Sequence, residues 1–123
     1  MKRLIIDLDG TICKTFNGNY SDAVPTKGIL ELLAKYKKDG FAIVISTSRN
    51  MLTYQNNIGK INANTLPIII EWLNKYQIPF DEIFVGKPWC GDEGFYVDDK
   101  AIRPSEFLKY SYKEIVEILD LEK

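Results

Sequence analysis

The chain has 123 residues, of which 46% are apolar and 27% charged, and its formal net charge is −1 at neutral pH. These values predict one globular domain over residues 1–123 and disfavour nucleic acid as a partner. The sequence contains no histidine, which excludes Ser-His-Asp and Cys-His catalysis and histidine-ligated metals.

The predicted location is the cytoplasm. The first strand begins almost at Met1, which leaves no room for a signal peptide, and no apolar run reaches transmembrane length. Because no apolar run reaches that length, no membrane partner is expected. Cys13 and Cys90 belong to no C-x-x-C pattern, so neither a zinc site nor a redox motif is indicated, and we expect reduced thiols.

The first predicted element is a buried strand that runs into Asp7-Leu8-Asp9-Gly10-Thr11. Side chains alternate along a strand, so Asp7 and Asp9 share one side. Two carboxylates about 4 Å apart repel by roughly 4 kcal/mol at an effective dielectric near 20. A shared proton, a cationic side chain or a bound metal would offset this repulsion. Taken alone, the stretch is also compatible with a turn and a helix cap.

A small hairpin or flap is predicted within residues 12–23, where Asn17-Gly18-Asn19 favours a turn. A helix is predicted from Pro25-Thr26 to Gly40, because apolar residues recur between them at helical spacing. Residues 41–45 form a continuous apolar run, which is typical of a central strand in a parallel sheet.

Polar residues 46–50 follow that strand, and residues 51–64 are predicted to be a loop with at most a helical turn. An apolar stripe over residues 66–76 predicts the next helix. Residues 82–85 and 95–97 are predicted strands, and a capping box at Ser111 begins a last helix. The alternation predicts an α/β fold of the three-layer, Rossmann-like kind with a mainly parallel sheet.

Polar side chains follow each of the four predicted strands. Because the carboxyl ends of parallel strands lie along one edge of a sheet, we predict that these side chains meet in one pocket. In chain order they are Asp7 and Asp9, Thr47, Lys87, and the pair Asp98 and Asp99.

This constellation resembles the haloacid dehalogenase-like (HAD) hydrolase superfamily, whose motifs are hydrophobic-D-x-D-G-T, a strand-terminal Thr or Ser, a Lys, and an acidic pair. More narrowly, DLDGTIC, ISTSRNM, VGKPWCG and FYVDDKAIRPSEF resemble the small capsular polysaccharide biosynthesis phosphatases of that superfamily. The resemblance covers essentially the whole chain. Residues 12–40 and 50–82 are too short to hold an independent cap domain, so a capless member is expected.

The resemblance implies a role for each acidic residue. Asp7 would attack phosphorus and become an aspartyl phosphate, and Asp9 would act as general acid and then as general base. Mg²⁺ would be held by the Asp7 carboxylate, the Asp9 carbonyl and the Asp98 carboxylate, a set of hard oxygen donors. Asp99 would act through water or by orienting Lys87.

The resemblance also implies the groups that bind the substrate. Lys87 would neutralise charge on the nucleophile and the phosphate. Arg49 is a candidate substrate contact, although a surface salt bridge explains it equally well. The groups that would hold the phosphoryl oxygens are those of Gly10, Thr11, Thr47 and Ser48.

The implied function is a magnesium-dependent phosphomonoesterase that acts on a small phosphorylated metabolite, such as a sugar or amino-alcohol phosphate for a surface polysaccharide. A homo-oligomer, a dimer or a tetramer, would frame the open pocket. A phosphotransferase would use the same residues. A receiver-like phosphoacceptor domain is disfavoured, because its phosphoacceptor would follow the third strand, where Gly86-Lys87 stands. A non-catalytic scaffold would show the decay of some motif, and none has decayed.

Overall fold

A computed structural model of the protein describes residues 1–16 and 19–123 and shows a mixed α/β structure. The strands are β1 (Arg3–Ile6), β2 (Cys13–Phe16), β3 (Asn19–Pro25), β4 (Ala42–Thr47) and β5 (Glu82–Val85). The helices are α1 (Ile29–Lys38), α2 (Ile58–Asn64), α3 (Leu66–Lys75), α4 (Pro104–Lys109) and α5 (Tyr112–Asp120).

The chain forms two compact units, Met1–Trp89 and Cys90–Lys123. The single domain that composition predicts stays a prediction. None of the helices in the described ranges has the length and apolar character that a membrane span requires.

The first unit is built on a parallel sheet with the strand order β1-β4-β5. Ile5 stands opposite Val44, and Ile45 opposite Ile83. Because β4 is central, the side chains of residues 43–45 are all buried, as their unbroken apolar run predicts. Helices lie between successive parallel strands in sequence, so the unit consists of two βαβ crossovers, which confirms the predicted Rossmann-like α/β class.

The predicted hairpin is present: β2 and β3 pair in antiparallel fashion, with Cys13 opposite Pro25. The Trp72 indole on α3 donates a hydrogen bond of 3.0 Å to the carbonyl of Ala23 on β3, which attaches the base of the hairpin to that helix. The predicted turn falls mainly on residues 17–18, which lie outside the described residues.

Helix α1 begins at Ile29, later than the predicted start at Pro25-Thr26. The Thr26 hydroxyl donates to the Thr11 carbonyl at 2.7 Å, and the Ile29 amide donates to the Thr26 carbonyl at 3.0 Å. These bonds hold residues 25–28 in a turn against the loop that follows β1, so the helix starts only after it.

The prediction of a loop with at most a helical turn over residues 51–64 is correct for residues 51–57, which contain no helix or strand, and wrong for residues 58–64, which form α2. The Asn57 side chain caps this helix by accepting the Lys60 amide at 3.1 Å, and Ile61 is fully buried. A helix of seven residues with one deeply buried anchor gives too little periodicity to detect from sequence.

The predicted strand at residues 95–97 is also wrong. The structure assigns no strand there, and the side chains of Phe95 and Val97 are 80% and 87% exposed. Three apolar residues between Gly94 and Asp98 are too few to specify a strand. The second unit instead contains α4, which was not predicted, and α5, whose predicted capping box at Ser111 is confirmed.

Candidate active site

The site is built on a tight turn after β1. Within it the Gly10 amide donates to the Cys13 carbonyl at 2.8 Å, and the Ile12 amide to the Leu8 carbonyl at 2.9 Å. Gly10 has a φ of +85°, a conformation that residues with a Cβ rarely adopt. Leu8 is fully buried, whereas its neighbour Asp9 is partly exposed and available for chemistry.

Lys87 reaches Asp7 from the end of β5, with its Nζ 3.7 Å from Asp7 Oδ1. The Lys87 amide donates to the Thr47 carbonyl at 3.1 Å, which ties the end of β5 to the end of β4. Gly86 has a φ of +85°, and a Cβ there would lie 2.4 Å from the Ile58 side chain. Any other residue directly before the lysine would therefore strain the backbone and displace the Ile58 side chain.

The Asp7 carboxyl is costly to ionise in this place. Burial is the main cause that raises its pKa, and the nearby charge of Asp9 raises it further. The Lys87 charge and a hydrogen bond from the Leu8 amide act in the opposite direction, and the net effect is a raised pKa. Additional positive charge near Asp7 would therefore stabilise its ionised form.

Asp9 is bound by Arg49 through two parallel hydrogen bonds. Arg49 Nε donates to Oδ2 at 2.9 Å, and Nη2 donates to Oδ1 at 2.8 Å. The Arg49 side chain is 4% exposed and that of Asp9 25% exposed. Burial lowers the pKa of Arg49, but the bonds and charge of Asp9 outweigh burial, and its pKa is raised. Arg49 is thus no surface salt bridge.

Two residues to which the sequence gave no role surround this ion pair. The Tyr20 ring on β3 covers the guanidinium, whose Cζ lies 4.3 Å from the ring centroid. Cys13 Sγ lies 3.4 Å from Asp9 Oδ1. Burial first, and the Asp9 charge next, raise the pKa of Cys13 to about 12, so the thiol stays protonated and donates to the carboxylate. The only signal in the sequence was that both residues fall in the hairpin predicted within residues 12–23.

The loop after β4 is held by side-chain bonds. Thr47 is buried, and its Oγ1 accepts the Arg49 amide at 3.1 Å, a bond that does not use the hydrogen of the hydroxyl. Asn50 adopts a φ of +62°, and its Oδ1 accepts the Thr65 hydroxyl at 2.8 Å. The loop that carries Thr47, Ser48 and Arg49 is therefore attached to the start of α3.

A cavity of about 310 Å³ opens beside the ion pair. Asp9, Tyr20 and Arg49 lie on one part of its wall, and residues 48–53 and Trp89 complete it. A recess of about 540 Å³ lies at the opposite ends of the strands, beside Arg3, Ala42 and Glu82, and contains none of these groups. The cavity at the carboxyl ends is the one that ligands use in open α/β sheets.

Asp98 and Asp99 belong to the second unit. Asp98 Oδ1 accepts the Lys100 amide at 2.8 Å, and both acidic residues are exposed. Their place beside Asp7 and Asp9 stays a prediction. In residues 1–16 and 19–123 there is no group of three or more His, Cys, Asp or Glu side chains that could hold a metal ion.

Comparison with known proteins adds a family. The sequence pattern of the haloacid dehalogenase-like hydrolases matches residues 4–82. A crystal structure of an MCSG target from Vibrio cholerae is 54% identical, with 100% of each chain covered and a TM-score of 0.96. The D,D-heptose 1.7-bisphosphate phosphatase from B. bronchiseptica, complexed with magnesium and phosphate, is 18% identical, with 98% of this chain and 64% of that chain covered and a TM-score of 0.49. None of the curated proteins matches this chain.

Proposed function

Because the chain belongs to the haloacid dehalogenase-like hydrolase family, we propose that it is a magnesium-dependent phosphomonoesterase that works through an aspartyl phosphate on Asp7. The observation that carries this proposal is the pair of Asp7 and Lys87. These residues come from two strand ends 80 positions apart, and they lie 3.7 Å from each other beside Asp9. A desolvated carboxylate with a lysine beside it is suited to attack an anionic phosphate.

The proposed reaction has two displacements at phosphorus. An Asp7 oxygen forms a bond to phosphorus while the bond from phosphorus to the ester oxygen breaks, and Asp9 gives that oxygen a proton. Water then attacks the phosphorus of the aspartyl phosphate and gives a proton to the Asp9 carboxylate. Inorganic phosphate leaves, and the Asp7 carboxylate is restored.

The donor atoms around the turn fit a hard cation. Both carboxylate oxygens of Asp9 are bonded to Arg49, and the bonds of the turn run through the carbonyls of Leu8 and Cys13. In the described part of the chain, the Asp9 carbonyl accepts none of them. We propose the Asp7 carboxylate, this carbonyl and Asp98 as the magnesium ligands, with water for the rest. The ion would supply positive charge to the nucleophile and to the transferring phosphoryl group.

Several groups of this chain would hold the phosphoryl oxygens. The Thr47 hydroxyl keeps its hydrogen for donation, and the Ser48 amide follows it in the loop. The backbone of Gly10 and Thr11 completes the set, while Lys87 neutralises the charge that develops. We propose sugar or amino-alcohol phosphates of surface polysaccharide biosynthesis as substrates, on the strength of the four motif stretches.

Turnover of p-nitrophenyl phosphate by the purified protein tests the proposal. We expect hydrolysis that requires Mg²⁺ and falls at least about a thousandfold in Asp7→Asn. Asp120→Asn is the matched control, since Asp120 also pairs with a lysine, Lys123 at 2.9 Å, and lies on α5. It should retain full activity. An Asp7→Asn protein as active as the wild type would refute the proposed nucleophile.

A further inference from the structure

Strand β1 is an edge strand: among the strands that the structure describes, only β4 pairs with it in the sheet. Ile5, in the middle of β1, is 54% exposed, whereas Val44 beside it on β4 is fully buried. The outer side of an edge strand offers backbone N–H and C=O groups to a further strand, and an exposed apolar side chain beside them favours its addition. The outer edge of β1 is therefore suited to bind an extended apolar segment.

The second unit exposes a segment of this kind. Residues 95–97 are Phe, Tyr and Val, and the side chains of Phe95 and Val97 are 80% and 87% exposed. Large apolar side chains with this exposure are typical of a surface that binds another protein. Within the chain residues 95–97 form neither helix nor strand, and their length is close to that of β1, which has four residues.

A parallel pairing of this segment with β1 would bring acidic side chains together. Asp98 follows Val97 as Asp7 follows Ile6. With Val97 opposite Ile6, the Cα atoms of Asp98 and Asp7 would lie roughly 5 Å apart, and both side chains would point to the same face of the sheet. This register therefore accounts for the predicted place of Asp98 beside Asp7.

The connection between β5 and this segment is too short for such a pairing within one chain. A strand outside β1 would lie three strand positions from β5, and a parallel connection needs about a dozen residues or more, usually with a helix. Residues 7–41 and 48–81 connect the parallel strands through helices, but residues 86–94 are nine residues without a helix. A turn shortens them further, because a Cβ at Gly94 would lie 2.2 Å from the carbonyl oxygen of Cys90. A second copy of the chain has no such restriction.

We propose that two copies of the chain exchange residues 90–123, so that residues 95–97 of each copy pair with the outer edge of β1 in the other, and Asp98 of one copy enters the candidate active site of its partner. The role of Asp98 there as a magnesium ligand rests on the proposed function. The two contacts are equivalent, as two-fold symmetry requires of a closed dimer. A short connection favours exchange of this kind over closure within one chain.

A disulfide between β1 and residues 95–97 tests the exchange. In a protein that carries Cys90→Ser, we combine Ile5→Cys with Tyr96→Cys, two positions that the proposed register places side by side. After mild oxidation, a denaturing gel should show linked dimers of about 28 kDa, twice the 14.1 kDa of one chain. A disulfide within single chains would overturn the proposal, and so would the absence of any link. As the matched control, Ile68→Cys replaces Ile5→Cys, since Ile68 is 59% exposed on α3, and no linked dimer should form.

The dimer itself is measured by light scattering. We expect the wild type to be a dimer, and Val97→Asp to raise its dissociation constant at least about tenfold, because the substitution places a charge on the paired segment. Ile68→Asp should leave the dissociation constant unchanged, and circular dichroism shows whether both variants are folded. A monomeric wild type would overturn the proposal, as would a folded Val97→Asp protein that dimerises as tightly as the wild type.

Mixed copies separate this inference from the proposed function. Asp7→Asn and Asp98→Asn should each lose p-nitrophenyl phosphate turnover. Coexpression of the two should restore about a quarter of wild-type activity, because half of the dimers are mixed and each mixed dimer has one intact site. Without exchange no mixed dimer contains an intact site, so inactive mixtures of an active wild type would overturn the exchange. Disulfide-linked dimers that hydrolyse no phosphate ester with Mg²⁺ would instead refute the proposed function and support the exchange.

Discussion

Among the described residues, two arginine–carboxylate pairs lie at opposite ends of this sheet, and the difference in their burial predicts different interaction energies. Arg49 and Asp9, at the carboxyl ends of the strands, are 4% and 25% exposed, and two hydrogen bonds join them. Arg3 and Glu82, at the amino ends, are 40% and 43% exposed with a distance of 3.4 Å. We therefore compare Asp9→Asn, Arg49→Met and their combination with the equivalent variants of the outer pair.

The expected loss of unfolding free energy depends on which of the two charges loses its partner. Asp9→Asn leaves a guanidinium that water barely reaches, and removal of one partner of a buried pair costs about 3 kcal/mol of unfolding free energy. Arg49→Met leaves the Asp9 carboxylate without its partner, but water can solvate it because the side chain is 25% exposed. This substitution should therefore lower the unfolding free energy by about 1 to 2 kcal/mol. The double variant should lose less unfolding free energy than the two single variants together, and this difference, the coupling energy, should be about 2 kcal/mol. For Arg3 and Glu82 the coupling should be below about 0.5 kcal/mol.

Urea unfolding in EDTA, followed by tryptophan fluorescence, measures these values. Both tryptophans of the chain, Trp72 and Trp89, lie in residues 1–89, so the signal reports on the unit that contains both pairs. A larger cost for Arg49→Met than for Asp9→Asn would refute the reasoning about the stranded charge. Equal coupling energies for the two pairs would refute the role of burial.

Three further predictions concern single residues. Because the folded state raises the pKa of Asp7, it binds that proton more tightly than the unfolded chain does, and the stability contributed by Asp7 falls as pH rises through the folded pKa. Asp7→Asn should therefore raise the melting temperature by about 2 to 5 °C at pH 7 in EDTA, and by less near pH 4; a lower melting temperature at pH 7 would contradict this. Gly86→Ala should cost about 1 to 3 kcal/mol in the same urea assay, since it combines a positive φ with a clash, and a neutral effect would show that the turn relaxes. Cys13 should resist iodoacetamide at pH 8 in the folded protein, because its thiol is buried and has a pKa of about 12, while Cys90 reacts. Mass spectrometry identifies the labelled peptide, and rapid labelling of Cys13 would disprove its burial.

The sequence predicted those parts of the fold that short-range patterns control. The apolar run at residues 43–45 indicated the central strand, and the stripe over 66–76 indicated α3, because burial on two faces or one face leaves a periodic trace. Strand β5 was predicted with its observed bounds. Helix α2 was missed because its stability depends on a cap and on one buried side chain rather than on a repeated pattern.

Contacts between distant residues were harder to predict than the elements that carry them. The topology of parallel strands indicated that Lys87 would approach Asp7, since both follow strands of one sheet. The Arg49–Asp9 pair depends on side-chain directions within two loops, and no sequence period encodes these. The strand predicted at residues 95–97 was wrong because an apolar triplet is compatible with an exposed extended segment.

The hairpin of β2 and β3 contributes to the cavity wall, whereas the sheet positions the charged residues around Asp7, so sequence changes can alter one without the other. Asp7, Thr47 and Lys87 are supplied by the sheet or the residues just after it, whereas Tyr20, which covers Arg49, is supplied by the hairpin. Its base is attached to α3 through Trp72 and Ala23. Substitutions on β3, such as at Tyr20, can therefore change the wall of the cavity without altering Asp7, Thr47 or Lys87. Exchange of this hairpin between relatives should change which molecules the cavity accepts, with Asp7, Thr47 and Lys87 left in place.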